Sequence, residues 1–190
     1  MKITNFITLL NASKKTLILL STFFLVLAVP QFSHATTISL VVEDDPSEGF
    51  NDSTAAFPGQ TGNAGTTLGQ QRINVFAAAA DYWEQRIVSS VNISVGINFD
   101  PLDCNSSGGI LGSAGPNSVF RDFAGAPLAS TWYVGAVTNS ITGTNVDPSQ
   151  SDISARFNSD IDNNNNCLNG TNWWYGIDSP APGGTISLFD

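Results

Sequence analysis

Oxygen side chains recur at alternate positions in Asp160-x-Asp162-x-Asn164-x-Asn166. That spacing resembles the start of a calcium loop, where carboxylates and amides converge on a hard cation. Asn165 stands where the loop needs a glycine, and Thr171 where it needs a bidentate Glu. Asp160, Asp162 and Asn164 are the candidate calcium ligands, and a polar turn is the plainer reading of the same residues. Glu43-Asp44-Asp45, with Glu48 and Asp52, forms a second acidic group. Runs of like charge usually sit in water, so this one reads as a solvated loop. Cys104 and Cys167 are the only cysteines. No C-x-x-C spacing or adjacent cation activates either thiol, so a disulfide is expected in an oxidising compartment. Trp132-Tyr133 and Trp173-Trp174-Tyr175 offer either core packing or a stacking platform.

Other chemistry is excluded by what the chain lacks. Residues 1–35 read as a secretory signal. Lys2, Lys14 and Lys15 precede the apolar run 16–29, Pro30 breaks it, and Ser33-His34-Ala35 has the small-x-small form of a cleavage site. The run is shorter than the about 20 residues of a spanning helix, so no stable membrane anchor is expected after cleavage. Cleavage after Ala35 removes every lysine, the one histidine and the one methionine. The mature chain then has no Ser-His-Asp or Cys-His pair, no histidine for zinc and no lysine for a Schiff base. Its remaining cations are Arg72, Arg86, Arg121 and Arg156, against 16 acids, and the full chain carries a net charge of −9. Nucleic acid is excluded as a partner by that balance. The expected location is secreted, periplasmic or in the cell envelope.

These groups must be positioned by a small set of elements. Residues 37–43 alternate as a strand, and 44–65 are a long polar loop. Thr67-x-x-Gln70 is a capping box. The helix it opens runs to about Val88, with Ile73, Phe76, Ala77, Ala80, Trp83 and Ile87 on one stripe and Arg72 off it. Residues 91–99 alternate without interruption, with Val91, Ile93, Val95, Ile97 and Phe99 on one face. Shorter strands are expected at 110–113, 118–123 and 152–158. Residues 131–137 read as a further strand or the entry to a short helix. The order predicts an α+β fold, a twisted mixed β-sheet backed by one long helix, as a single domain over 36–190.

The ordered segments 66–72, 98–104, 111–116, 120–123, 131–133, 152–159 and Trp174-Tyr175-Gly176-Ile177-Asp178 resemble the N-terminal half of a family of secreted bacterial zincin-type metalloproteases. The resemblance covers most of 37–190. It implies peptide-bond hydrolysis in the family, by a His-Glu-x-x-His zinc helix that follows a segment like the one ending here at Asp190. It also implies that Asp152, Ile153, Ala155 and Phe157 belong to an edge strand lining the substrate cleft. The mature residues contain no histidine, so no zinc ligand and no catalytic Glu carries over. Zinc is expected only in a full-length relative. This chain is expected to be inactive alone and to meet a peptide or protein substrate only when completed by a C-terminal half. The other reading is an exported, non-catalytic module that binds carbohydrate or cell-surface ligands.

Signal cleavage is directly measurable. Intact mass and N-terminal sequencing of the exported protein should place Thr36 first; a retained Lys14–Lys15 segment would contradict it.

Overall fold

The computed structural model describes residues 36–189. The leader 1–35, its expected cleavage after Ala35, and Asp190 lie outside the described residues. Ten strands, β1 (Ile38–Val42), β2 (Ile93–Asp100), β3 (Cys104–Asn105), β4 (Gly108–Gly109), β5 (Gly112–Pro116), β6 (Val119–Arg121), β7 (Trp132–Val134), β8 (Ile153–Asn158), β9 (Asn172–Trp174) and β10 (Thr185–Ser187), accompany three helices. The helices are α1 (Leu68–Glu84), α2 (Gly135–Thr142) and the single turn α3 (Asp160–Asn163). Mixed helix and sheet content is therefore present, as the α+β reading expects.

The main sheet has the order β1-β2-β8-β5. β1, β2 and β8 run parallel, and β5 is antiparallel to β8. The register separates two faces. Leu40, Val95 and Ile153 align across one face, as do Val42, Ile97 and Ala155. Ser39, Ser94, Gly96, Ser154, Asn98 and Arg156 align across the other. A one-residue slip would exchange the faces, so the hydrophobic pattern fixes the pairing.

α1 packs on the apolar face. Thr67 caps it, its hydroxyl accepting from the Gln70 amide at 3.2 Å. The Gln70 side chain reaches back to the Thr66 amide at 2.9 Å, so the reciprocal half of the box is displaced by one residue. The helix ends at Glu84, a few residues before the periodicity predicts. Its buried face also differs from the predicted stripe: Leu68, Gln71, Arg72 and Val75 are buried, while Trp83 is 53% exposed. The cause is that the first half of the helix is covered by the loop 44–65 and Tyr175, through Gln71 and Arg72, whereas Ala80 and Trp83 face an open groove over the sheet.

Phe76 joins helix to sheet by edge contact with Phe157 at 4.8 Å and with Phe50 at 4.9 Å. Phe50, Ile97, Phe99, Ile161, Trp173 and Tyr175 complete the core. Trp173 and Trp174 are buried in it, whereas Trp132 is 60% exposed on the β6–β7 hairpin.

Cys104 and Cys167 form the expected disulfide, with Cα atoms 5.1 Å apart. It joins β3 to the 3-10 turn Cys167–Gly170 and closes a separation of 63 residues. Replacing both cysteines with Ser should cost about 4 kcal/mol by the loop-entropy relation. Urea denaturation of the oxidised protein and the double variant checks this; equal midpoints would contradict it.

Candidate functional site

Three candidate regions meet the core. The first is a buried polar cluster around Arg72. This side chain has almost no solvent exposure, and its donors are distributed over three segments. Nη1 donates to the Gly49 carbonyl at 2.6 Å and lies 3.4 Å from an Asp52 oxygen. Nη2 lies 3.3 Å from Asp162 Oδ2, and Nε donates to the Tyr175 hydroxyl at 3.0 Å. The guanidinium plane sits 4.3 Å from the centre of the Phe99 ring. Tyr175 in turn donates to the same Asp162 oxygen.

Such a charge is tolerable only because it is paired and each of its three nitrogens is hydrogen-bonded. Burial works against the Arg72 cation, but Tyr175 and Asp162 outweigh it and raise its pKa from the ordinary arginine value. Burial pushes the Tyr175 hydroxyl well above its ordinary value, Asp162 pushes it further, and Arg72 pulls back in part. Tyr175 therefore stays protonated and acts as a donor.

This cluster uses one of the candidate calcium ligands. Asp162 gives Oδ2 to Arg72 and Tyr175, and Oδ1 accepts from the Trp173 amide at 2.9 Å. Asp160 accepts instead from the Asn164 side chain at 3.3 Å, and Asn164 Oδ1 accepts from the Asn166 amide. Asp160 and Asn164 thus bond each other, while Asp162 is turned to Arg72, Tyr175 and Trp173. Among the described residues no group of three His, Cys, Asp or Glu could hold a metal ion. The chain has no histidine after His34, and both cysteines are in the disulfide. These residues do not fit a zinc centre.

The acidic loop also has structural partners. Asp44 accepts from the Phe50 amide and, at 2.8 Å, from the Phe99 amide. Asp52 accepts from the amide and hydroxyl of Thr54. Gln71 bonds both the N–H and the C=O of Phe57, at 3.0 and 2.8 Å. Segment 44–65 is thereby anchored to β2 and α1. Gly49 is required there: its φ is +53°, and a Cβ would lie 2.1 Å from the Asp44 carboxylate.

The second region is the sheet edge. Asp152, Ile153, Ala155 and Phe157 do not form an edge. Asp152 abuts the start of β8, and β8 is paired on both sides, by β2 and β5. Asp152 is buried and staples three elements: it accepts from the Ser94 amide at 2.9 Å, the Ser94 hydroxyl at 3.1 Å and the Asn139 amide group at 2.7 Å. The open antiparallel edge belongs to β5, whose five residues are all exposed. Leu111 O accepts from Asn158 N, and Asn117 N donates to Asp152 O. By alternation, residues 111, 113, 115 and 117 face β8, and Gly112, Ala114 and Pro116 face outward. The missing N–H of Pro116 therefore costs the ladder nothing.

The third region is an apolar groove of about 610 Å³ between α1 and α2. Leu40, Val95 and Ile153 lie in its floor, Ala80 and Trp83 in one wall and Ile141 in the other. Sequence reasoning missed both Arg72 and the groove. Hydropathy gives no signal for a buried cation. The run Ala77–Ala80 is the one trace of the groove, because small side chains there leave the sheet uncovered.

The buried cluster makes a paired prediction. Asp162→Asn should cost about 3 kcal/mol, because the Arg72 charge stays buried with less compensation. The pH dependence follows from Tyr175, whose folded value is raised above the ordinary 10.0. Its contribution is complete below pH 10.0 and is lost as pH rises through the higher folded value. Tyr175→Phe should remove that alkaline loss. Denaturant midpoints against pH check both; an unchanged alkaline slope in Tyr175→Phe would contradict the assignment. No protein-family model, curated protein or solved structure matches this chain, so its function rests on its own residues and geometry.

Proposed function

We propose that residues 36–190 are the N-terminal half of an exported zincin-type metallopeptidase. This half supplies a strand along which a peptide substrate is laid, and it does not supply the zinc ligands. The observation that carries the reading is the β5 edge, antiparallel, fully exposed and built of Gly112, Ser113, Ala114, Gly115 and Pro116. Its outward residues offer the N–H groups of Gly112 and Ala114 and the carbonyls of all three. An extended peptide is held in that way by main-chain hydrogen bonds, with its side chains alternating above and below the strand. Small residues keep the approach unobstructed. The sheet backed on one face by α1 is the arrangement that the sequence resemblance implies.

Hydrolysis needs groups that these residues lack. A zinc helix in a second half would provide the metal site and the general base. In this reading residues 36–190 bind and orient the peptide, and attack on its carbonyl is left to the second half. One observation favours a second reading, an exported binding module for carbohydrate or cell-surface ligands. Trp132 is 60% exposed, and the Arg121 guanidinium lies 5.1 Å from its ring centre. An open aromatic face of this kind suits stacking on a sugar.

The gene separates the readings. The frame beyond the Asp190 codon should encode His-Glu-x-x-His, and the exported residues 36–190 should cleave no casein with or without added zinc. Cleavage by them alone, or no such motif in the frame, overturns the proposal. In the protein encoded through that helix, Ala114→Pro removes a central N–H from the edge. It should raise KM for peptides about tenfold with little change in kcat; an unchanged KM would place the peptide elsewhere.

A further inference from the structure

The parallel strands β2 and β8 end beside a small polar cavity of about 260 Å³. Asp100 closes β2, and Ser159 directly follows β8. The loop before α1 adds Glu48 and Asp52 to the lining, α3 adds Asn163, and Phe99 and Pro101 are its apolar part. No residue of β5 lines it.

The Arg72 cluster uses only a fraction of these acceptors. Asp52 shares its oxygens between Arg72 and Thr54. Glu48 accepts from the Asp45 amide alone, at 3.3 Å. Among the described residues, the Asp100 carboxylate, the Asn163 amide group and the Ser159 hydroxyl have no hydrogen-bond partner. Ser159 is the informative one. It is only 7% exposed, and it stands at the N-cap of α3. A serine hydroxyl in that position normally accepts from an amide of its own helix. Here it makes no such bond. A buried hydroxyl without a partner is costly, and this one lines a cavity whose other polar groups are also free.

We propose that this cavity binds the ammonium or guanidinium group of an organic cation. The site does not depend on the function proposed above. Carboxylates only accept hydrogen bonds, so the ligand must donate. Glu48, Asp52 and Asp100 bring three carboxylates, and the one cation in the lining, Arg72, is already shared by Asp52 and Asp162. The ligand must therefore be positive, and an anion is repelled. A directly bound metal ion does not fit, because no three acids converge closely enough to hold one among the described residues. A nitrogen cation fits better. Its N–H groups point in several directions and reach acceptors set apart around the cavity. Phe99 and Pro101 offer apolar contact to its carbon stem.

The test titrates the exported protein and follows the amide resonances of Asp100, Ser159 and Asn163. n-Butylammonium and n-butylguanidinium should shift all three to saturation. At least one should bind about tenfold tighter than n-pentanol, which has similar size and no charge. Asp100→Asn keeps the shape and removes a charge, and should lower that affinity about fivefold. If it fails to fold, Glu48→Gln at its exposed position should do the same. Nα-acetyl-lysine methylamide presents the same ammonium on a peptide unit. Tighter binding than n-butylammonium assigns the group to a peptide side chain, and weaker binding to a free small cation. Equal affinity for n-pentanol, or unchanged affinity in the variant that folds, overturns the proposal. So does calcium, if it binds tighter than either cation and shifts the same resonances.

Discussion

One buried guanidinium ties together parts of the chain that lie far apart in sequence. Arg72 projects from the second turn of α1 into a space closed to solvent. There it reaches Gly49 and Asp52 in the long loop, Asp162 in α3, and Tyr175 beyond β9. Those partners lie 20 to 103 residues away in sequence. Each is held in place partly by the charge it helps to bury. Removing Asp162 leaves Arg72 Nη2 and the Tyr175 hydroxyl buried without an acceptor, which costs more than the lost bonds. The loop, the one-turn helix and the C-terminal aromatic segment therefore form a cooperative unit, anchored on α1.

That unit also accounts for the neighbouring geometry. Phe99, the last core residue of β2, lies under the guanidinium and packs on Phe50 and Trp173. Asn158, at the end of β8 and fully buried, takes the same role for the segment 102–110. Its side chain bonds Leu102 and Ile110, while its carbonyl accepts from Trp173 Nε1 at 2.8 Å. The disulfide joins the two sides of this region, Cys104 from the first segment and Cys167 from the turn after α3. The C-terminal ends of β2 and β8 are thus braced by ions, amides and one covalent bond. Their other ends are joined by the buried Asp152, which bonds Ser94 and Asn139, beside apolar packing that is incomplete next to α2.

Local chemistry was legible in the sequence where it depends on neighbours in the chain. The alternation in 91–99 matches β2, Thr67 caps α1, and two cysteines without activating neighbours pair. What depends on distant neighbours was not legible. Arg72 reads as a solvent-facing cation by periodicity, because its compensation comes from Asp52 and Asp162, which no local window contains. Gly115-Pro116 reads as a break after a strand at 110–113, since glycine and proline disfavour strands in isolation. It becomes a strand because β8 offers a partner and Pro116 turns its missing donor outward. The same event moves 153–158 from an expected edge to the interior of the sheet.

The distribution of finish over the surface bears on function. Edge strands are normally blunted by charge, bulges or covering segments, because an open row of N–H and C=O groups recruits other chains. β5 carries no charge and no covering segment. An apolar groove is normally closed by the element that buries it. Here it lies open beside α1, while the opposite face of the same sheet is mostly polar, with Val41 its exposed apolar residue. The bare edge is the surface on which the proposed role in contact rests, and the apolar trough is a second surface left open. The buried Arg72 unit gives that surface its rigidity, since it fixes α1, and with it one wall of the groove, against β2.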